Sequence, residues 1–309
     1  MPFTTLTYAD VSWTNIVHPT QQDIDQLATL FPQFHTLNQK DCLTLLEIPK
    51  LDQYDHYLFL VIHMPFWDEP IQISRRAEVD IFISEGTLVT SHRGELKPIN
   101  EIFVQLQADQ SMRADWMAQG ASPLLYRILD LLIDYCRPIV QKVGQIIQHI
   151  ELSIFQSNTR HLLHEIAVVR RDVIALRSIL KPQQEIVDKL IKGTWPFIHT
   201  DLDPYWGDIA DHLSQLCGML DEYTEVITGL SDTADTLASH RIDEVIRLLT
   251  VVTVITLPIS VLSTLFGMNI VMPYAEMPHL FYAVTISGII LAGVLLWFLN
   301  KKIGFNNPC

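Results

Sequence analysis

The chain has 309 residues, of which 49% are hydrophobic and only 18% are charged, and its mean hydropathy is +0.21. This composition excludes a disordered chain, and four cysteines are too few for a disulfide-rich scaffold. The formal net charge of −14, without any basic stripe, argues against a protein that binds nucleic acid.

Charge is unevenly distributed along the chain. Residues 241–309 contain four basic and three acidic residues, a net charge of +1, so the first 240 residues carry −15. The cysteines lie far apart and form no CxxC pair, which favours reduced thiols over a zinc site. The first ten residues lack the basic and apolar regions of a signal peptide. We expect a large acidic part followed by a small apolar part.

Residues 1–120 predict a cytoplasmic α/β domain. Short runs rich in apolar and β-branched residues predict strands, and two amphipathic runs predict helices. The predicted strands are residues 43–48, 57–64, 79–84 and 87–91, and the predicted helices are residues 22–30 and 99–106.

Residues 121–244 predict a cytoplasmic helical stalk, which makes the whole fold α+β. Residues 123–156, kinked at Pro138, and residues 159–191 each predict a helix. No proline interrupts the chain between Tyr205 and Leu257, which predicts one helix of about 60 residues that enters the membrane without a break. Apolar residues at alternating steps of three and four from Leu213 to Leu237 indicate a heptad seam against other helices of the assembly.

Residues 245–309 predict a membrane hairpin of two helices. Residues 248–266 and 280–299 contain no charged residue, and each run is close to the roughly 20 residues that span a bilayer. The alternative is a pair of buried core helices. Basic residues flank the two runs and are missing from the segment between them, so the positive-inside rule places both termini in the cytoplasm.

The first apolar run carries a polar stripe on one helical face. Its members recur at alternating steps of three and four, and four of the five have hydroxyl groups that can face water or ions. They are Thr250, Thr253, Leu257, Ser260 and Thr264. The alternative is that these hydroxyls only bind their own backbone. Because two helices enclose no lumen, an ion path along this face requires an oligomer.

A Gly-Met-Asn tripeptide, Gly267 to Asn269, follows the first run and precedes a short outer loop. In that position it resembles the signature of the CorA family of divalent-cation (Mg²⁺/Co²⁺) transporters. Residues 170–182, 204–212, 243–249 and 257–258 are also similar to the family, so the resemblance covers essentially the whole chain. It implies a homopentameric, funnel-shaped channel for Mg²⁺, and for Co²⁺ or Ni²⁺, in the inner or plasma membrane and without enzymatic activity.

The resemblance also implies roles for single residues. Gly267, Met268 and Asn269 match the selectivity filter, in which five Asn269 amides would hold a cation through its hydration shell. Asp243 matches a polar ring at the cytoplasmic mouth, where the family usually has Asn. The apolar constrictions match Ile246, Leu249 and Leu257, and the water- or ion-binding positions between gate and filter match Ser260 and Thr264.

Regulation in this family comes from intracellular Mg²⁺ held between neighbouring cytoplasmic domains. The acidic residues that match are Glu95 and Asp208, with Asp211 and Asp232 nearby on the stalk. The resemblance implies that Mg²⁺ relieves the repulsion between acidic domains and holds the pore closed. For each carboxylate the alternative is an ordinary solvated charge.

Departures from the family pattern leave the transported ion open. The outer loop is longer and has His279 where the family often has Glu, so Glu276 is the candidate cation-attracting charge. The C-terminus has only two lysines, and Asp243 adds a charge at the mouth. The nearest alternative is a zinc transporter of the same superfamily, with or without proton coupling. More distant ones are a sensor that transports nothing and a membrane-anchored metallohydrolase, for which the HExxH order is missing.

Overall fold

A computed structural model describes residues 3–44, 47–71, 73–154, 159–195 and 203–267. It also describes residue 279 and, within the second apolar run, residues 282–283, 285–290, 293–294 and 297, all of which are helical. The chain divides into two compact units, Met1–Asp232 and Thr233–Cys309. The predicted three-part division at residues 120 and 244 stays a prediction.

The described residues at the start of the chain form a sheet of six strands. Its members are β1 (Phe3–Tyr8), β2 (Val11–Val17), β3 (Lys50–Gln53), β4 (Leu58–Asp68), β5 (Ile73–Ser84) and β6 (Thr87–His92). The spatial order is β1-β2-β6-β5-β4-β3, in which β2 and β6 are parallel and the other neighbours are antiparallel. A two-residue turn joins β5 to β6, and its Gly86 has a φ of +71° that a side chain would strain.

Helices cover both faces of this sheet. Two short ones, α1 (Gln21–Leu30) and α2 (Thr36–Asp41), pack on the face that presents Phe82 and Val89. Two more, α3 (Lys97–Ala108) and α4 (Gln110–Met117), lead to the long α5 (Ala121–Ser153) and α6 (Thr159–Lys192). Helices α5 and α6 pack against the opposite face of the sheet. The N-terminal α/β domain is thereby confirmed.

The last described helix, α7, runs from Asp203 to Gly267 without a break and contains Pro258. The predicted long helix is confirmed, and it is five residues longer than about 60. The first half of its heptad seam is buried within this chain: Leu213, Leu216 and Leu220 are at most 2% exposed. Arg177 of α6 pairs with Asp221 at 2.6 Å, so the predicted packing partners of this part of the seam include helices of the same chain.

The predicted strand at residues 43–48 is wrong at residues 43, 44, 47 and 48, the part of this run that the structure describes. Backbone bonds from Leu43 to Lys40 and from Thr44 to Asp41 close a turn after α2, and the strand begins at Lys50. Strands β1 and β2 were not predicted, because threonine and serine interrupt their apolar pattern. The other predicted strands and all four predicted helices preceding α7 are confirmed, with β5 beginning six residues earlier than expected.

Candidate metal centre and ion path

Three side chains of α5 and α7 form a candidate metal centre. Asp130 lies on α5, and Asp208 and His212 lie one turn apart on α7. One ligand atom from each of the three lies within 4.8 Å of the others. Sites of this kind, with carboxylate and imidazole donors converging from two helices, are suited to a divalent cation.

Aromatic contacts fix the two helices next to this centre. Tyr126, one turn before Asp130, meets the ring of Tyr205 at 5.2 Å and that of Trp206 at 6.0 Å between centroids. Trp206 is 1% exposed, so it anchors the first turns of α7 against α5. The spacing of Asp208 and His212 then brings both side chains to the same edge of that contact.

The distances inside the centre leave room for an ion. His212 Nδ1 lies 4.0 Å from Asp130 Oδ1, and His212 Nε2 lies 3.6 Å from Asp208 Oδ1. Both separations exceed hydrogen-bond length, and the shielded Nδ1 atom has no hydrogen-bond partner among the described residues. An orphaned imidazole nitrogen facing a carboxylate is an arrangement that a bound cation would satisfy.

The electrostatics of the centre also favour a cation. Burial raises the pKa of Asp130, and the like charges of Asp134 and Asp208 raise it further, while His212 partly offsets them. Burial and the charges of Asp130 and Asp208 likewise raise the pKa of Tyr126. A divalent cation would remove this repulsion. The carboxylates of the centre suit Mg²⁺, and its imidazole suits Co²⁺, Ni²⁺ or Zn²⁺.

The predicted metal ligands lie in different places. Asp208 belongs to the centre, whereas Asp211 is exposed and outside the group of three. Asp232 lies 24 residues beyond Asp208 and is exposed, and Glu95 lies in the loop between β6 and α3. Sequence reasoning missed Asp130 and His212 as ligands. The i, i+4 spacing of Asp208 and His212 was a signal for the latter; Asp130 had none in the local pattern.

Glu95 lines a cavity of about 140 Å³ in the α/β part of the chain. Cys42, Asp80 and Ser91 lie at its inner end, and the Oδ1 atom of Asp80 has no hydrogen-bond partner there. Burial raises the pKa of Asp80 well above its ordinary value, and the charge of Glu78 adds to the effect. Burial also raises the pKa of Cys42. Burial therefore favours the neutral form of both groups.

Among the described residues, α7 is the helix that is long and apolar enough to cross a membrane, and its apolar part is its second half. Its most apolar window has a mean hydropathy of 1.9 and no buried residue. Ile246, Leu249 and Leu257 are between 55% and 64% exposed within one chain. Apolar surface of this extent needs lipid or other protein around it.

The hydroxyl groups of the stripe in part bind their own backbone, as the alternative interpretation of this stripe predicts. Thr250, Thr253 and Thr264 each donate to the carbonyl four residues earlier, at 2.8 Å. Each hydroxyl oxygen keeps lone pairs that can accept hydrogen bonds from water, and the side chain of Ser260 is exposed. Asp243 is exposed as well. Gly267 ends α7, and Met268, Asn269 and Glu276 lie outside the described residues.

Comparisons with known proteins agree with this architecture. The family model described as CorA-like Mg²⁺ transporter protein matches residues 8–302. YfjQ of Bacillus subtilis (strain 168), whose name describes a metal ion transporter, is 29% identical over 291 residues, which cover 94% of this chain and 88% of YfjQ. The cobalt/magnesium transport protein CorA of Thermotoga maritima is 23% identical over 298 residues, covering 94% of this chain and 83% of that protein.

The fold is also that of solved relatives. The structure of the CorA magnesium transporter from Methanocaldococcus jannaschii matches with a TM-score of 0.79 at 18% identity, covering 96% of this chain and 93% of that chain. The similarity to zinc transporters is weaker. The zinc transport protein ZntB of Pectobacterium atrosepticum is 22% identical over 225 residues, covering 72% of this chain and 67% of its own.

Proposed function

Because this chain belongs to the CorA-like Mg²⁺ transporter family, we propose that it is a channel for Mg²⁺, with Co²⁺ and Ni²⁺ as further substrates. The proposed location is the inner or plasma membrane, with both termini in the cytoplasm. The two apolar runs form the membrane hairpin, and the first of them lines the ion path.

One observation carries the proposal. The same uninterrupted helix, α7, holds two ligands of the candidate metal centre, Asp208 and His212, and the hydroxyl stripe from Thr250 to Thr264. A cation at the centre therefore binds directly to the helix that lines the path, and it can bias the position of that helix without any intervening linker.

We propose a homopentamer, because a hairpin of two helices encloses no lumen. Five α7 helices would turn their stripes towards a common axis, with Ile246, Leu249 and Leu257 as apolar constrictions and Asp243 at the mouth. Met268 and Asn269 would form the filter with Gly267, and Glu276 would attract cations outside. An amide ring that binds the hydration shell suits Mg²⁺, which gives up its waters reluctantly.

The proposed regulatory ion sits among Asp130, Asp208 and His212. Glu95, Asp211 and Asp232 remain proposed contributors from a neighbouring chain, since one chain does not bring them to this centre. When intracellular Mg²⁺ is abundant, the ion neutralises the acidic cytoplasmic surface and favours the closed state. When Mg²⁺ falls, repulsion between carboxylates loosens the assembly and favours opening.

Flux through purified protein in proteoliposomes tests the proposal. Mg²⁺, Co²⁺, Ni²⁺ and Zn²⁺ are offered with and without a pH gradient. We expect Mg²⁺ entry that does not depend on the gradient, and loss of this entry in Asn269→Ala with the oligomer intact. Flux that persists in Asn269→Ala would refute the filter, and absence of flux for all four ions would refute the channel.

The zinc alternative has one observation in its favour. His212 contributes an imidazole to the centre, and imidazole is a preferred ligand of Zn²⁺ and a rare one of Mg²⁺. Zn²⁺ flux that exceeds Mg²⁺ flux and requires a pH gradient would identify a proton-coupled zinc transporter instead.

A further inference from the structure

Three buried polar side chains converge at the inner end of the cavity in the α/β part of the chain. Asp80 of β5 and Ser91 of β6 are direct partners in the sheet register, so their side chains lie next to each other on one face. Cys42, the residue after α2, belongs to the apolar cluster that contains Phe82 and Val89, which lie two residues from Asp80 and Ser91 on the same strands and therefore share their face. A carboxyl, a hydroxyl and a thiol group thus meet from two strands and one helix end.

The polar atoms of this cluster are incompletely paired. Asp80 Oδ1 and Ser91 Oγ have no hydrogen-bond partner among the described residues. Asp80 is 3% exposed and Ser91 is fully buried, so bulk water does not satisfy either atom. The Cys42 thiol makes a weak contact of 3.5 Å with the carbonyl of Asn38. Buried polar atoms without a partner normally indicate a bound ion or water.

The charges that act on the inner end of the cavity are mainly negative. Burial raises the pKa of Asp80, the charges of Glu78 and Asp41 raise it further, and Lys50 and the Cys42 thiol partly offset them. Three basic residues also line the cavity, but all three are exposed, so that solvent screens their charges. They are Arg75, Arg76 and Arg93. The inner end therefore favours a cation.

We propose that Cys42, Asp80 and Ser91 bind a thiophilic divalent cation, Zn²⁺ or Co²⁺. Thiolate sulfur selects such ions over Mg²⁺, and carboxylate oxygen is a common further ligand. Ser91 supplies a third protein ligand, and the cavity of about 140 Å³ has room for a water molecule in the fourth position of a tetrahedral site. On binding, the ion displaces the proton of the thiol, and that of Asp80 where the carboxyl is protonated, into solvent.

The size and composition of the cluster favour an ion over an organic ligand. The unpaired oxygens of Asp80 and Ser91 are shielded, so a partner smaller than a water molecule reaches them most easily. His92 also lines the cavity, but its two ring nitrogens already bond to Asn15 at 3.1 Å and to the backbone N–H of Gly94 at 3.0 Å, so it is not a ligand. The site lies outside the Asp130–Asp208–His212 centre, and the proposal does not depend on the channel function.

Co²⁺ is the probe for this site, because a thiolate bound to Co²⁺ gives a charge-transfer band in the near ultraviolet that oxygen and nitrogen ligands do not give. Co²⁺ is titrated into the purified full-length protein after reduction and desalting, and the absorption difference is recorded. We expect a saturable band that Zn²⁺ displaces and Mg²⁺ does not, since Mg²⁺ prefers oxygen ligands. The centre that contains His212 has no sulfur ligand and contributes nothing to this signal.

Substitutions assign the band to the proposed ligands. Cys42→Ser should abolish it, whereas the matched controls, Cys217→Ser of α7 and Cys309→Ser, should retain it. Asp80→Asn keeps the shape of the side chain and should weaken Co²⁺ binding by about tenfold or more, since even an outer partner of a metal ligand is worth that much. Ser91→Ala should weaken it as well, and these two variants decide the question if Cys42→Ser does not fold. Absence of the band in the wild-type protein, its persistence in Cys42→Ser, or unchanged affinity in both Asp80→Asn and Ser91→Ala would overturn the proposal.

Discussion

His212 Nε2 lies 3.6 Å from Asp208 Oδ1, one turn apart on α7, and His212 Nδ1 faces Asp130 of α5 at 4.0 Å. The imidazole thus lies between two carboxylates without hydrogen bonding to either of them. A protonated imidazole would be held there by charge alone, whereas a divalent cation would bind all three groups. The carboxylate and imidazole contributions to metal binding can therefore be tested by separate substitutions.

The carboxylate contribution is tested by Asp208→Asn, which keeps the shape of the side chain and removes its charge. In the wild-type protein an ion at 100 times its Kd stabilises the folded state by about 2.7 kcal/mol. We expect the variant to lose most of the rise in unfolding temperature that Mg²⁺ produces, together with Mg²⁺-dependent protection from protease.

The matched control is Glu222→Gln, which removes an exposed carboxylate of the same helix, about four turns beyond Asp208 and outside every proposed ligand set. This control should retain the response to Mg²⁺. If Asp208→Asn responds to Mg²⁺ as strongly as Glu222→Gln does, Asp208 is not a ligand.

The imidazole contribution is tested by His212→Gln. Because nitrogen ligands favour Co²⁺, Ni²⁺ and Zn²⁺ over Mg²⁺, the variant should lose affinity for those three ions while its affinity for Mg²⁺ changes little. Calorimetric titration of each ion measures this. His164→Gln, an exposed histidine of α6, is the control. A uniform loss for all four ions would assign His212 a structural role.

The sequence predicted the elements that carry strong local patterns. The uninterrupted α7 followed from a long proline-free, periodic segment, and β6 followed from a short apolar run bounded by Gly86. The prediction for residues 43–48 was wrong because their apolar composition suits a strand as well as it suits a turn. The competing turn depends on bonds to Lys40 and Asp41 at the end of α2, which composition does not reveal.

The metal centre was predicted for one residue of three. Asp208 came from the family resemblance, and His212 has a helical spacing to it that could have been used. Asp130 lies 78 residues earlier than Asp208 in the chain, and it reaches the site where Tyr126, one turn before it, packs against Tyr205 and Trp206. Such a contact between distant helices depends on tertiary packing, which a single sequence does not encode in any local period.

The raised pKa of Asp130 predicts that removing its charge stabilises the metal-free protein but weakens metal binding. A carboxyl whose pKa is raised by folding contributes stability below its ordinary pKa, and that contribution is lost as the pH rises through the raised pKa. At neutral pH the charged Asp130 therefore destabilises the metal-free protein. Asp130→Asn should raise the unfolding temperature in EDTA and abolish the further rise on addition of Mg²⁺.

The pH dependence supplies the control for this variant. In EDTA the wild-type protein should lose stability relative to Asp130→Asn as the pH rises from the acidic range to neutrality. A lower unfolding temperature for Asp130→Asn in EDTA at neutral pH would mean that Asp130 makes a stabilising interaction in the metal-free state, and this account of the centre would be wrong.

The apolar constriction is tested at Leu249, which is 64% exposed within one chain and lies on the face of α7 that carries Thr253 and Ser260. A ring of leucines can close a narrow pore by excluding water, so Leu249→Gly should let ions pass at internal Mg²⁺ concentrations that close the wild-type channel. Mg²⁺ flux in proteoliposomes loaded with Mg²⁺ measures the change. Leu248→Gly carries the same helix penalty of about 1 kcal/mol on a different face and is the matched control. Increased flux in Leu249→Gly alone supports a gate at this position, whereas equal flux in the two variants would attribute the effect to a weakened helix.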